Sequence, residues 1–332
     1  MAVMNQPNMT TRCNGFVVVV VLCVIVMLAA ILLAFNSKAR TSLNAADIAR
    51  KSEQALNCAR AGLNIAIAAI ADTNDICADG RFSTLLSGEN TFTVADGSCS
   101  VTIVEENGKL NVNRLKDKDG KLNRTAIDQL LRLIDIINRQ SRGDSRVSYG
   151  LVPAIIDWVD SDDDVTCLDF VEGGNFGAES DYYSQLNPPY RCRNAPIDTI
   201  EELLLVKAVT PDVFERLRDF VTTKGDGKIN INSAPQLVIE ALSEKMDSAL
   251  AQMIVSKRKI KSFTGITELK DVPGMTDDIF RSISTAVTVG AAERYYHVIS
   301  QASVERCSCT VVATLGIDAR TKNVNIVLYK EI

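Results

Sequence analysis

The feature that most constrains this chain is an uncharged apolar run of twenty residues from Phe16 to Phe35. As an α-helix rising about 1.5 Å per residue, the run would extend about 30 Å, which matches the hydrocarbon core of a bilayer. The run therefore predicts one membrane-spanning segment. It is longer than the apolar core of a cleavable secretory signal, and no small-residue cleavage site follows it. A plain signal anchor is the alternative interpretation.

The helix is predicted to continue well beyond the membrane. Residues Thr41 to Ala71 contain no proline and a single glycine, Gly62, and their apolar residues recur at helical spacing. One helix from Phe16 to about Ile70 would be of order 80 Å long. Half of such a helix would lie in lipid, and the other half would pack against a soluble domain.

The rest of the chain divides into strands, a helical middle and further strands. Thr91–Glu105 alternates on both sides of Asp96-Gly97, which predicts a β-hairpin. Residues 127–137 and 199–289 show helical periodicity. Three more strands are predicted near the C-terminus: Tyr295–Val304, Cys309–Asp318 and Asn323–Lys330.

Composition argues against several classes of function. Lys and Arg number 36 and Asp and Glu 41, a formal charge of −5, whereas binding to nucleic acid favours a basic protein. The chain has one histidine, His297, which excludes a multi-histidine metal site and argues against a catalytic triad. We therefore expect a protein that is not an enzyme and does not bind nucleic acid.

One run of basic residues is predicted to be a solvated helix end: Lys257, Arg258, Lys259 and Lys261.

An acidic segment, Asp157 to Asp181, holds nine carboxylates and no Lys or Arg. These charges repel one another unless the loop is fully solvated or a cation is bound, and Ca²⁺ is the cation that prefers such oxygen ligands. An EF-hand is rejected because Val165 and Val171 occupy its sixth and twelfth positions. A merely solvated loop is the alternative. The predicted calcium ligands are Asp160, Asp162, Asp164, Glu179 and Asp181.

The cysteines suggest disulfides in an oxidising compartment. Of nine cysteines, Cys13 precedes the apolar run and Cys23 lies inside it, which leaves seven, so at least one stays free. Cys167 and Cys192 bracket most of the acidic segment and are the first predicted pair. Cys77 with Cys99 is the second.

Several runs of residues carry a family resemblance. A short polar leader ends in Gly15 directly before Phe16, and the runs ENGKLNVNRL, AIIDWVDSDDD and KININSAP follow along the chain. Together they resemble the K-type minor pseudopilins of the type II secretion system. The resemblance implies an α+β, pilin-like fold, in which a long N-terminal transmembrane helix packs on an antiparallel sheet. It also implies a large inserted α-helical domain of the helix-hairpin-helix or SAM-like kind.

The same resemblance implies a division of the chain. A prepilin leader would be followed by the two parts of the long helix, then by strands, the insert and closing strands. The expected boundaries are 1–15 for the leader, 16–35 and 36–71 for the helix, 72–115 for the first strands, 116–290 for the insert with its acidic loop at 157–181, and 291–332 for the closing strands.

The resemblance further implies a place in an assembly. Prepilin peptidase would cut between Gly15 and Phe16, and the fifth residue after the cut, Val20, stands where most pilin-like subunits have Glu. A subunit without that carboxylate is expected at the tip of a pseudopilus. Its partners would be the I-type and J-type minor pseudopilins and the inner-membrane secretion platform, with the soluble domain in the periplasm.

Two departures and two rival functions accompany this interpretation. The acidic loop is longer than the family pattern, and Ala208 stands where that pattern usually has Gly.

A minor pilin of a type IV pilus or competence system is the first rival. A membrane-anchored DNA receptor is the second, because Thr267–Ile283 reads as a helix-hairpin-helix unit, although Asp277 and Asp278 follow its turn.

Overall fold

The computed structural model describes residues 14–72, 90–94, 97–117, 119–140, 146–171 and 175–332. Its first element is a single helix, α1, Asn14–Asp72, 59 residues long. The predicted continuous helix is confirmed. The leader before Asn14 lies outside the described residues.

Helix α1 has two halves with different surroundings. Its large apolar side chains from Phe16 to Phe35 are exposed, and this part is long and apolar enough to cross a membrane. The second half buries a stripe of small and apolar residues against the sheet: Ala55, Cys58, Ala59, Leu63, Ala66 and Ile70.

The main sheet contains β1 Asn90–Val94, β2 Gly97–Glu105, β7 Glu293–Val304, β8 Cys307–Asp318 and β9 Val324–Glu331. Within the described residues these five strands are antiparallel, in the order β1-β2-β7-β8-β9. The predicted hairpin and the three predicted C-terminal strands are confirmed. The closing strands therefore complete a sheet that the first hairpin began, with the insert between them.

Gly62 allows α1 to lie close to the sheet. A Cβ added there would overlap Ser300 Oγ and Cys99 Sγ. Ser300 itself is fully buried and donates to the carbonyl oxygen of Ala59 at 2.7 Å, so it has little freedom to move away. The close approach of α1 to the sheet therefore depends on the absence of a side chain at Gly62.

Gly62→Ala is expected to destabilise the protein. Overpacking costs about 1–3 kcal/mol, which exceeds the roughly 1 kcal/mol that Ala gains over Gly inside a helix. Thermal unfolding of the full-length protein in detergent checks this. Gly290→Ala is the matched control, because nothing lies within 4 Å of its added Cβ. Equal melting of the two variants would contradict the packing argument.

The insert contains short helices and two-stranded β-ladders. Four of its segments are 3₁₀ turns: Glu106–Gly108, Val112–Arg114, Ile200–Leu205 and Ile266–Asp271. The other elements are β3 Leu110–Asn111, α2 Arg124–Gln140, α3 Leu151–Val159, α4 Ser180–Tyr183, α5 Pro211–Leu217, β4 Val221–Thr222, β5 Ile229–Asn230, α6 Gln236–Ala241, α7 Ser248–Ile260, α8 Asp277–Ile283 and β6 Val287–Thr288.

The insert begins earlier than predicted. Its first ladder, β3, pairs in parallel with β4 and joins no strand of the large sheet. Apolar residues from Leu110 to Val287 form one core, separate from the core between α1 and the sheet. In the structure the change from sheet to insert falls at the 3₁₀ turn Glu106–Gly108 that follows β2, whereas the expected boundary was 116.

The insert contains two copies of one structural unit. The sequences Gly108–Asn113, GKLNVN, and Gly227–Asn232, GKININ, each supply the first strand of a parallel ladder. In each unit a 3₁₀ turn, a short helix and a strand follow, beginning at residues 200, 211 and 221 in the first unit and 66 positions later in the second. The helix-hairpin-helix prediction for Thr267–Ile283 is confirmed in part, since its first helix is a 3₁₀ turn.

The repeat shows that the turn at Ala208 has the same kind of backbone conformation as its counterpart in the second unit. Ala208 has φ of +69°, a left-handed conformation that favours glycine, and Gly274 has φ of +88° at the equivalent position of the second unit. The first unit therefore keeps the turn geometry without the glycine.

Candidate metal centre

Three carboxylates of the acidic segment come together inside the insert. Asp157 lies near the end of α3, Asp160 directly follows that helix, and Glu179 directly precedes α4. One oxygen from each carboxylate lies within 4.8 Å of the others. We call these three residues the carboxylate cluster.

The cluster forms because α3 is buried on nearly all sides. Residues Leu151 to Trp158 are all buried, so Asp157 enters the core together with its apolar neighbours. Trp158 donates to Glu202 at 3.0 Å and packs edge-on against Tyr183, with ring centroids 5.0 Å apart. These contacts hold α3 next to α4. Trp158 is therefore a packing anchor of the insert.

Gly177 brings the returning chain against Asp157. A Cβ at Gly177 would overlap the Asp157 carboxylate and lie 2.7 Å from the carbonyl oxygen of Pro153. The Gly177 N–H donates to the carbonyl oxygen of Thr166 at 3.0 Å, which closes the loop over the cluster. Glu179, two residues later, is thereby placed beside Asp157.

Most oxygens of the cluster lack hydrogen-bond partners. Asp157 Oδ1 accepts from the Thr166 N–H at 2.9 Å, and Asp160 Oδ2 pairs with Lys116 Nζ. The other four oxygens are buried without a partner of good geometry: Asp157 Oδ2, Asp160 Oδ1, Glu179 Oε1 and Glu179 Oε2. The nearest donors are the Ala178 N–H for Asp157 and the Cys192 thiol for Glu179. Buried carboxylate oxygens are costly when unpaired, so this arrangement favours a bound cation or a bound proton.

The raised pKa values of the three carboxylates also favour a bound cation or a bound proton. Burial, together with the nearby Asp157 and Asp160 carboxylates, raises the pKa of Glu179 to about 8. Burial also raises the pKa of Asp157 and of Asp160, although Lys116 opposes the rise at Asp160. Three ionised carboxylates in this space need more positive charge than Lys116 supplies.

The three carboxylates are close enough to share one hard divalent cation. With Ca–O bonds of about 2.4 Å, for example, two oxygens on opposite sides of the ion lie about 4.8 Å apart. Carboxylate ligands without imidazole or thiolate favour Ca²⁺, Mg²⁺ or Mn²⁺ over softer metals. The residues present can therefore hold a hard divalent cation.

Two of the five predicted ligands, Asp160 and Glu179, belong to the cluster. The prediction for Asp162, Asp164 and Asp181 differs from the structure, because all three are exposed and lie outside the cluster. Asp162 instead accepts from the Asp164 N–H at 3.0 Å and lies 3.8 Å from Lys116 Nζ. Asp157 was absent from the predicted set. The signal for it was a carboxylate inside an apolar helical run, three residues before Asp160.

The predicted disulfide between Cys167 and Cys192 is absent from the structure, where both are free thiols. Cys192 donates to the carbonyl oxygen of Asp157 at 3.4 Å, whereas Cys167 contacts Asp169 Oδ1 at 3.0 Å. The two cysteines lie on either side of the loop in sequence, but in the structure their sulfurs contact different residues. For the second predicted pair, Cys99 is buried against Ser300 and Cys77 lies outside the described residues.

Two residues of the basic run donate hydrogen bonds to backbone carbonyl groups of the insert. Arg258 donates to the carbonyl oxygens of Ile231 and Ala234 at 2.6 and 2.7 Å, and Lys257 donates to that of Glu268 at 3.1 Å. Asp277 and Asp278 occupy the first turn of α8, where a DNA-binding hairpin would meet phosphate. At this hairpin the structure therefore shows acidic residues where a DNA receptor would need a basic surface facing phosphate.

A long apolar N-terminal helix packed on an antiparallel sheet, with a helical insert between strands, defines a pilin-like, membrane-anchored protein. Two family models, each described as type II secretion system (T2SS), protein K, match residues 108–225 and 229–290, which are the two repeated units of the insert. The chain belongs to the type II secretion system protein K family.

Individual relatives agree with the family match. Type II secretion system protein K of Klebsiella pneumoniae is 26% identical over 141 residues, 42% of this chain and 40% of the relative. The protein of the same name from Aeromonas hydrophila is 28% identical over 141 residues, 41% of this chain and 39% of the relative. The matched regions thus span about 40% of the length of these relatives.

The fold has a solved counterpart. A chain in the crystal structure of the GspK-GspI-GspJ complex from the enterotoxigenic Escherichia coli type 2 secretion system superposes with a TM-score of 0.63 at 17% identity. The superposition covers 89% of this chain and 99% of that chain. At this identity the likeness concerns the fold.

Proposed function

We propose that this chain is a minor pseudopilin at the tip of a type II secretion pseudopilus, where it supports protein export without catalysing a reaction. The observation that carries the proposal is the family insert, residues 106–290, mounted on a single pilin-like helix and sheet. Repeating subunits of a filament pack side by side along its length. A bulky insert is most easily accommodated by one copy at the end.

Residue Val20 supports the tip position. It lies in the exposed apolar half of α1, at the fifth position counted from Phe16. In pilin-like filaments a Glu there would meet the amino terminus of a neighbouring subunit, which gives the buried carboxylate a partner. A subunit at the tip has no neighbour above it, so an apolar residue suits that place. The same feature argues against the rival interpretation as an ordinary minor pilin.

The proposed partners follow from the same arrangement. The solved complex contains GspK, GspI and GspJ, and we infer that this chain joins its own I-type and J-type pseudopilins mainly through α1. Prepilin peptidase would process it, and the inner-membrane platform would extend the filament with the soluble domain in the periplasm. Copurification of the three full-length proteins from membranes tests the complex, and its absence would contradict the proposal.

Val20→Glu is expected to impair secretion strongly while leaving the soluble part folded. A charged side chain inside the apolar run is costly, up to about 3 kcal/mol at the centre of the span and less towards its end, where Val20 lies, and a tip subunit has no neighbouring amine to offset that cost. A complementation assay measures secretion. Ile260→Glu is the matched control, since Ile260 is exposed at the end of α7 and lies outside α1, the helix that the proposed partners contact. Wild-type secretion by Val20→Glu would contradict the tip assignment.

The mature chain is expected to begin at Phe16. Gly15 precedes the apolar run, and its lack of a side chain lets a protease approach the backbone closely. Intact-mass analysis of the protein extracted from membranes identifies the first residue. Retention of Met1 in cells with active prepilin peptidase would contradict the expectation.

We also propose that the carboxylate cluster binds Ca²⁺ and that the ion stabilises the insert. The support is the set of four buried oxygens without partners on Asp157, Asp160 and Glu179, within reach of one ion. Additional oxygens would come from backbone carbonyls or water, because Ca²⁺ takes six to eight ligands. The ion would neutralise charges that would otherwise repel inside the fold.

A further inference from the structure

A second polar site lies at the junction of the two repeated units, away from the sheet. It is a cleft of about 300 Å³ between the start of α2, the loop before β5 and the segment before β6. Its lining residues include Arg114, Thr125, Ala126, Gln129, Gly227 and Lys228.

The start of α2 contributes backbone donors to this cleft. Asn123 caps the helix, since its Oδ1 accepts from the Ala126 N–H at 3.2 Å and its carbonyl oxygen accepts from the Ile127 N–H at 3.0 Å. The earlier amides, of Arg124 and Thr125, have no acceptor within a helix. With 17 residues, α2 also places partial positive charge at this end.

Two buried side-chain donors line the same cleft without partners. Gln129 is 3% exposed, and its Nε2 is buried with no hydrogen bond. Arg114 Nε is likewise buried and unpaired. Within the described residues, the Arg114 guanidinium makes no hydrogen bond or ion pair. Its aliphatic stem packs on Gly227, where an added Cβ would lie 3.0 Å from Arg114 Cγ, so the guanidinium is held in place.

The remaining charged groups of the cleft are of both signs. Lys116 and Lys228 add positive charge, but Lys116 is paired with Asp160. Asp117 and Asp226 also line the cleft, and Asp226 Oδ1 accepts from the Lys228 N–H at 3.0 Å, which turns that oxygen towards its own loop. The buried groups of the lining that have no partner, on Arg114 and Gln129, are donors.

We propose that this cleft binds an oxyanion, the carboxylate or phosphate group of a small ligand, through Arg114, Gln129 and the start of α2. Arginine donates in a planar fork that matches both groups, and a helix start suits an anion. The binding would satisfy the donors that the fold leaves buried at Arg114 and Gln129. The cleft and the carboxylate cluster are linked through Lys116, which lines the cleft and pairs with Asp160, and the proposal does not depend on the proposed function.

The test uses the full-length protein in detergent, with ¹⁵N-labelled arginine, in chelator so that calcium plays no part. The Arg114 Nε–H resonance, assigned with Arg114→Lys, is expected to shift saturably with inorganic phosphate or with acetate. Sodium chloride at equal ionic strength is expected to leave it unchanged. The anion that saturates at the lower concentration identifies the source of the oxyanion.

Variants provide the second measurement. Arg114→Gln is expected to weaken binding about tenfold or more in calorimetric titration, as loss of a charge-assisted hydrogen bond does. Arg281→Gln is the matched control, because Arg281 is exposed on α8 and pairs with Asp278. A resonance that follows ionic strength alone, or equal affinities in Arg114→Gln and the control, would overturn the proposal.

Discussion

Calcium is expected to raise the melting temperature of the insert by about 5–10 °C over its value in chelator. Binding to the folded state alone adds RT ln(1 + [L]/Kd), about 2.7 kcal/mol at a hundredfold excess, and a domain of this size gains about 2–4 °C per kcal/mol. Trp158 is the sole tryptophan and packs beside the cluster, so its fluorescence reports unfolding of the insert. Magnesium is expected to do less, because it dehydrates reluctantly.

Variants distinguish the cluster from the rest of the acidic loop. Glu179→Gln is expected to remove most of the calcium effect. In chelator near neutral pH it should melt higher than wild type, because glutamine is neutral in the folded state without having to take up a proton. Asp164→Asn is the control, since Asp164 belongs to the same loop but is exposed outside the cluster. Equal melting of the wild type with and without calcium would contradict the proposed site, as would a full calcium effect in Glu179→Gln.

The pH dependence follows from the raised pKa of Glu179. In the folded protein without calcium the pKa is about 8, against 4.5 for an ordinary glutamate, so the folded state holds a proton that the unfolded state loses. The stability tied to this proton is present below pH 4.5 and is lost as the pH rises towards 8. In chelator the insert should therefore melt lower at pH 8 than at pH 5.5. Calcium should reduce that difference.

The sequence could indicate the region of this cluster but not its members. Nine carboxylates without a compensating Lys or Arg identify Asp157–Asp181 as a segment under electrostatic stress. Which of them face inward depends on the path of the loop, and that path is set by Gly177 and by the burial of α3. Asp157 looked like the end of an apolar helix, whereas the exposed Asp162 and Asp164 resembled a known calcium loop.

The large elements were easier to predict because their signals are long. The uncharged run and the absence of proline to Ala71 were enough for α1, and period-two alternation was enough for the strands of the sheet. The start of the insert was harder to place because β3 has only two residues and pairs with a strand more than a hundred positions later. The repeat of GKLNVN as GKININ, 119 positions apart, was the sequence signal that both segments open a unit of the insert.

Asn232→Ala is expected to destabilise the insert by about 3 kcal/mol or more. Asn232 is 8% exposed, and its Nδ2 donates to the carbonyl oxygens of Phe263 and Val289 at 2.9 and 3.2 Å. Its Oδ1 accepts from the Phe263 N–H at 2.9 Å. Alanine would leave these backbone groups without partners, and each unsatisfied buried group costs about 1–3 kcal/mol.

The first unit provides the matched comparison, because Asn113 makes the equivalent contacts. Its Nδ2 donates to the carbonyl oxygens of Ile197 and Thr223, and its Oδ1 accepts from the Ile197 N–H. Asn113 is half-buried, so water can replace part of what is lost and Asn113→Ala should cost less than Asn232→Ala. Gln252→Ala, at an exposed position of α7 in the insert, should change the free energy of unfolding by no more than about 0.5 kcal/mol. Trp158 fluorescence during denaturation measures all three variants, because both units of the insert share one core with Trp158. If Asn232→Ala unfolded at the same denaturant concentration as Gln252→Ala, the asparagine would not be what ties the strand β5 to the rest of its unit.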